Sequence, residues 1–340
     1  MSVPPPDEIV DFLKREDGYL IVSHLNPDGD TLGSAAALAL ALEALGKRTL
    51  LLCRDRVPEQ YAFLPGSARY RTFDEMTVPE VSAGGFRNLI LVDCNEIKRT
   101  GMERSPLSSL PFQYSVVIDH HETEKTFGDF RWVLPEMAAT GMMVYALLRA
   151  LGVVMSKEMA VNLYAALVVD TGNFRYENTT PDVLAVASDL AQAGAPPHII
   201  HREINETWSE ARFQLYLRVL NTLQVNGGIA VTVVTRKMFE ETGASPDDTE
   251  TFVSVPKMMK NIKVSILLRE VDRNEYKVSL RSRNSINVAR IAEAFNGGGH
   301  RNAAGCTVKM ELGAAKAELI RKVKEQIVLC YPCAVEPLRI

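Results

Sequence analysis

Three short apolar runs in this chain each end in acid or imidazole. Tyr19–Val22 leads into His24, Asp28 and Asp30, Asn88–Val92 into Asp93, and Tyr114–Ile118 into Asp119-His120-His121. Apolar runs of this length, bounded by turn residues, read as strands buried on both faces. Such strands belong to parallel sheets covered by helices. The Ala- and Leu-rich stretch Ala35–Leu45 is a strong helix former, Gly46 closes it, and Arg48–Cys53 reads as the next strand. That is a βαβ unit, so the expected class is α/β with a parallel sheet. In such sheets ligands bind beyond the carboxyl ends of the strands, which is where these acids and histidines fall. Taken alone, Asn26-Pro-Asp-Gly29 is also an ordinary turn and Asp30 an ordinary helix N-cap. The recurrence at two later strand ends favours a metal site. One imidazole with two carboxylates suits a hard or borderline divalent ion such as Mn²⁺.

With 340 residues, two domains are the default expectation. Residues 1–190 read as the first domain. It opens on a helix over Pro4–Arg15 and has a short helix over Pro58–Leu64. Helices over Ala139–Leu151 (with Thr140 as a cap), Lys157–Val169 and Pro181–Ala193 follow. Gly194-Ala-Pro-Pro197 breaks any helix and marks the boundary. Residues 191–221 read as a linker with one long bridging helix, His198–Asn221, on which His198 and His201 are surface or interface residues. Residues 222–340 read as a smaller mixed-sheet domain. Its elements are a strand over Gly228–Thr235, a short helix over Arg236–Thr242, and a hairpin of Lys263–Glu270 and Glu275–Ser282. A helix over Asn287–Phe295, a loop Asn296-Gly-Gly-Gly-His300, a strand from Ala303 and a closing helix Gly313–Leu329 complete it.

A formal charge of −4 argues against a non-specific grip on long nucleic acid, duplex DNA included, which needs a broad basic surface. No apolar run approaches a membrane span, and the N-terminus lacks a signal pattern. Five cysteines in mostly apolar settings fit reduced thiols in the cytoplasm. Cys330-Tyr-Pro-Cys333 follows the last helix instead of opening one, so it is not read as a redox pair.

Collected, the strand-end groups are His24, Asp28, Asp30, Asp93, Asp119, His120 and His121, with Asp170 after a buried helix. So much unpaired charge at buried positions is costly unless cations compensate it. Two adjacent divalent ions would do so and are suited to phosphoryl transfer, with Asp93 on a central strand as the natural bridge. In the second domain, consecutive glycines Gly297-Gly298-Gly299 could let backbone amides cradle an anion. Arg281 and Arg283 alternate on a strand and would present guanidinium groups to one face. Lys257, Lys260, Arg301 and Arg99 are weaker candidates. Phe174, Arg175 and Tyr176 follow Asp170 and could reach a nucleotide, although the aromatic pair reads first as core.

These motifs together resemble the DHH phosphoesterase superfamily. Asp119-His120-His121 with His24-x-x-x-Asp28-x-Asp30 upstream carries the likeness, with Asp93 in Leu-Val-Asp-Cys and Asp170 in Val-Val-Asp-Thr-Gly. Gly297-Gly-Gly-His300 with Ala303-Ala-Gly305 resembles the accessory DHHA1 domain. Length and domain content are most similar to the bacterial oligoribonuclease (nanoRNase) and pAp phosphatase group. The resemblance implies two Mn²⁺ ions, with Mg²⁺ or Co²⁺ as substitutes. It implies His24 and Asp28 on one ion, Asp30, His120 and Asp170 on the other, and Asp93 bridging. Asp119 would orient an imidazole, and His121 would face the substrate phosphate. Gly298, Gly299, His300, Arg281 and Arg283 would hold substrate. The implied substrates are short RNA oligonucleotides of two to five residues, or pAp. The implied assembly is a homodimer. A cyclic or linear dinucleotide phosphodiesterase, a pyrophosphatase, a DNA exonuclease and a non-catalytic nucleotide sensor are the alternatives.

Overall fold

The structure, a computed structural model, describes residues 3–122, 127–249, 251–283 and 286–330. The chain divides into two compact units, Met1–Thr207 and Trp208–Ile340. No helix among the described residues is long and apolar enough to cross a membrane.

The first unit holds a six-stranded sheet built from β1 (Tyr19–Val22), β2 (Thr49–Cys53), β3 (Arg71–Thr72), β4 (Asn88–Val92), β5 (Tyr114–Asp119) and β6 (Phe130–Val133). The order is β3-β2-β1-β4-β5-β6, and every pairing is parallel. The order reverses between β1 and β4, the topological switch point at which doubly wound sheets bind ligands. Both faces are covered. Ile21, Ile90, Val92, Val116 and Ile118 pack into one core, and Leu20, Val22, Leu89, Leu91 and Val117 into another. This alternation explains why β1 and β4 are apolar at every position but the first residue of β4.

Among the described residues this unit holds eight α-helices: α1 (Asp7–Arg15), α2 (Gly29–Ala44), α3 (Val78–Ala83), α4 (Ile97–Thr100), α5 (Thr140–Ala150), α6 (Lys157–Asp170), α7 (Pro181–Gln192) and α8 (Pro197–Asn205). Helices α2 and α6 are buried almost all round, and glycine lets them meet. A Cβ on Gly33 would lie 2.4 Å from the Asn162 carbonyl oxygen of α6, and where α5 meets α6 one on Gly141 would lie 2.6 Å from the Ala166 methyl. Gly33→Val should therefore cost about 3 kcal/mol by forcing α2 away from α6. That is a fall of roughly 6–12 °C in the thermal midpoint. A midpoint within about 2 °C of the parent would show that the helices part at little cost.

The second unit carries a mixed sheet of β7 (Gln224–Asn226), β8 (Ile229–Val234), β9 (Val264–Asp272), β10 (Glu275–Ser282), β11 (Gly298–His300) and β12 (Ala303–Lys309). The order is β11-β12-β10-β9-β8-β7, with β8 and β9 parallel and the other neighbours antiparallel. Its helices are α9 (Glu210–Leu220), α10 (Arg236–Thr242), α11 (Ala289–Glu293) and α12 (Leu312–Cys330). The α/β class and the two sheet types expected from sequence are present.

Two expectations change. The single helix read over His198–Asn221 is two helices, α8 and α9, because Ser209 caps α9 by accepting from the Arg212 amide. The segment read as a loop at Asn296–His300 contains an edge strand, since Gly298–His300 pairs antiparallel with β12. Cys333 of the Cys-x-x-Cys pair lies outside the described residues.

Candidate metal centre

Each expected ligand owes its position to a strand end or a helix terminus. Asp28 is the N-cap of α2, accepting from the amides of Asp30 and Thr31 at 3.0 and 3.1 Å. The cap read for Asp30 thus belongs to Asp28. Asp30 reaches instead to the start of α5, where its carboxylate accepts from the Thr140 and Gly141 amides at 2.7 and 2.9 Å. Those are unpaired first-turn N–H groups at the positive end of a helix, a favourable partner for a carboxylate. Ser34 adds a third donor at 2.9 Å. Thr140 is therefore not the cap of α5, which is Ala139. Its hydroxyl donates to Asp93 at 2.9 Å.

Asp93 follows β4 directly and sits at φ 60°, a left-handed conformation that aspartate adopts more readily than most residues. The side chain is almost fully buried and lies at the centre of the cluster. His24 Nε2 is 3.3 Å from it, His120 Nε2 3.4 Å and His121 Nδ1 3.6 Å. His120 Nε2 is also 3.0 Å from Asp170 and 3.7 Å from Asp30, and His24 Nε2 is 3.9 Å from Asp28. The Nδ1 of His24 faces the Leu25 carbonyl at 2.7 Å, and that of His120 faces the Met137 carbonyl at 3.0 Å. These backbone oxygens accept from Nδ1–H and leave each Nε2 aimed inward, the arrangement that metal-binding histidines need. Asp119 is fully buried; it accepts from His121 Nδ1 at 2.8 Å and from the Asn95 amide.

Charge crowding tunes the site. Burial raises the Asp30 pKa well above the ordinary carboxylate range, and the charges of Asp93 and Asp170 add to it; the same causes raise Asp28. Burial also opposes the charge on Asp93. The hydrogen bond from His24 and the positive imidazoles outweigh that, so its pKa is lowered. Burial disfavours the imidazolium of His24, yet the hydrogen bond to Asp93 and the charges of Asp93 and Asp28 push its pKa up to about 9. His120 is raised against its burial by Asp170, Asp30 and Asp93. Imidazolium groups thus balance the carboxylates where divalent ions would do so more fully.

Three sets of donor atoms lie within 4.8 Å of one another and could each hold an ion: His24, Asp28 and Asp93; Asp30, His120 and Asp170; and Asp93, His120 and His121. Hard oxygen donors mixed with imidazole fit Mn²⁺-class ions, and Asp93 occurs in two of the sets. Sequence reasoning missed Thr140, Ser34 and Asn95, whose roles depend on contacts across the fold.

The second unit distributes its candidates differently. Arg281 is on β10, while Arg283 lies one residue past the strand and donates to the Lys257 carbonyl. Of the three glycines, only Gly299 takes a positive φ. Gly297 and Gly299 allow tight packing on β12, and Gly298 faces open space. His300 contributes its backbone to β11. Arg99 gives its carbonyl to the Leu25 amide.

The DHH family, N-terminal domain, matches residues 19–169, and the DHHA1 domain matches residues 226–328. A relative from Thermus thermophilus, named bifunctional oligoribonuclease and PAP phosphatase NrnA, is 33% identical over 94% of this chain and 93% of its own length. A Bacillus subtilis relative of the same name is 24% identical over 88% of this chain and 92% of its own length. An exopolyphosphatase-related protein from Bacteroides fragilis superposes with a TM-score of 0.90 at 27% identity, covering 97% of this chain and 99% of its own.

Proposed function

The chain belongs to the DHH family, with a DHHA1 domain after the DHH domain, and from that premise we propose that it hydrolyses short RNA oligonucleotides to nucleoside 5′-monophosphates and pAp to AMP and phosphate. The observation that carries this reading is Asp93, a buried carboxylate that groups with His24 and Asp28 and lies 3.4 Å from His120 of the second set. We assign His24 and Asp28 to one ion, Asp30, His120 and Asp170 to the other, and Asp93 to both, with Mn²⁺ as the preferred ion. When bound, two such ions lower the pKa of water and clamp the attacking and leaving oxygens of an in-line displacement. Asp119 holds His121 through Nδ1, which leaves Nε2 as the proton donor to the departing oxygen. Both substrates lose the same bond on this account. The P–O3′ bond breaks, and the ribose 3′-oxygen takes the proton. One site can therefore serve a diester and a monoester. Arg281, Arg283, Gly298, Gly299 and His300 are the residues of the second unit assigned to holding substrate.

Metal-stripped protein, given Mn²⁺, should be offered pAp, an RNA dinucleotide, an RNA 24-mer, cyclic di-AMP and pyrophosphate in parallel. Turnover of pAp and the dinucleotide, with the 24-mer slow, is expected. Turnover of pyrophosphate alone, or nucleotide binding without hydrolysis, would overturn the reading.

A further inference from the structure

The turn that follows Asp170 is built from three consecutive left-handed residues, Gly172 (φ 56°), Asn173 (61°) and Phe174 (59°). Two of these are not glycine, so the fold must hold the turn against its intrinsic preference. It does so from several directions. The Asn173 and Asn205 side-chain amides form a reciprocal pair at 3.1 Å, and His201 Nδ1 lies 3.0 Å from the Asn173 oxygen. Arg175 Nε donates to the Gly172 carbonyl at 2.7 Å, and the Asn178 amide donates to the Asp170 carbonyl at 3.1 Å.

The two aromatic residues on this turn have different fates. Phe174 packs against the main core and meets Tyr164 edge-on at 5.8 Å between ring centres. Tyr176 does not enter the core and is 54% exposed. Its ring is laid against Gly172 so closely that a Cβ there would fall 2.3 Å from Cζ. The ring is backed by main chain, on a turn that begins two residues after a candidate ligand, and still leaves about half its surface open. Such a ring is prepared for a flat partner. Bases stack on aromatic side chains of this kind regardless of sequence.

We propose that Tyr176 is a base-stacking residue, the platform on which the nucleobase of the nucleotide at the metal centre rests. This rests on the nucleotide hydrolysis argued above and adds what makes the site prefer nucleotides to bare phosphoesters. The test compares an RNA dinucleotide with an abasic dinucleotide of the same backbone. In Tyr176→Ser, the ratio of the two kcat/KM values should fall about 5- to 150-fold, the size of one lost stack. The loss should lie in KM, and Tyr176→Phe should restore the ratio. An unchanged ratio in a Tyr176→Ser protein that melts like the parent would overturn the inference. A second measurement stands apart from turnover and from the variants. Calorimetry on the Mn²⁺-loaded parent should show AMP binding at least about 5-fold more tightly than ribose 5-phosphate. Equal affinities would overturn the stacking role. A parent that hydrolyses no nucleotide would overturn the functional reading, while the calorimetric comparison would still decide the stack.

Discussion

Asp93→Asn should lower kcat/KM for an RNA dinucleotide by about four orders of magnitude, the scale seen when one member of a catalytic unit is removed. Asn is nearly isosteric with Asp and tolerates the φ of 60° found at this position. It can still accept from Thr140. What it removes is the charge that His24 and His120 face at 3.3 and 3.4 Å. Asp93 groups with His24 and Asp28 and lies 3.4 Å from His120 of the set assigned to the second ion, so bound Mn²⁺ should fall from two ions per chain to one or none. The fold should survive, because the carboxylate sits at a strand end and not between the packed faces of the sheet. Far-ultraviolet circular dichroism, metal content after dialysis and steady-state rates on the same preparation separate these effects. Parent-like turnover with two ions retained would remove Asp93 from the centre of the mechanism.

How much of this site can be read from sequence follows from the distance over which each feature is determined. The candidate ligands at the strand ends are legible because a buried strand is a local pattern and the acid follows it directly. The partners that orient them are not. Thr140 is 47 residues from Asp93, and Asn95 is 24 from Asp119. Nothing local marks either hydroxyl or amide as special. The strand β6 has no clear local signal, since Phe130-Arg-Trp-Val133 is short and carries a charge on an edge. The glycine run near His300 illustrates a different difficulty. Glycine permits a loop and a close strand approach equally, and only the pairing of β11 with β12 decides between them. Phe174 and Tyr176 pose a similar problem. In a turn there is no regular period to say which ring is buried, so the sequence reads both as core, and only Phe174 packs there.

Without metal, the protein should lose thermal stability as pH rises from about 6.5 to 9, by roughly 5 °C. The sign follows from where protons reside. His24 has its pKa pushed up to about 9 in the folded chain, and His120 is raised as well. Unfolded histidines titrate near 6.5. Between those values the native state holds more protons than the unfolded state, so stability falls with rising pH. Below about 6.5 the contribution of His24 is fully present, and it is gone once pH passes its folded pKa. Asp93, lowered by its imidazole partners, stays ionised throughout this window and contributes no slope. Divalent ions should reverse the trend, because an imidazole nitrogen must be free of its proton to accept a cation. The increase in melting temperature on adding Mn²⁺ should therefore grow with pH, and calorimetry in buffers of different ionisation enthalpy should detect proton release on binding. His24→Gln should make the metal-free slope shallower, leaving the part that His120 contributes, since glutamine holds no titrating proton against Asp93. A metal-free melting temperature that stays level or rises from pH 6.5 to 9 would mean that the imidazolium groups do not balance the carboxylates.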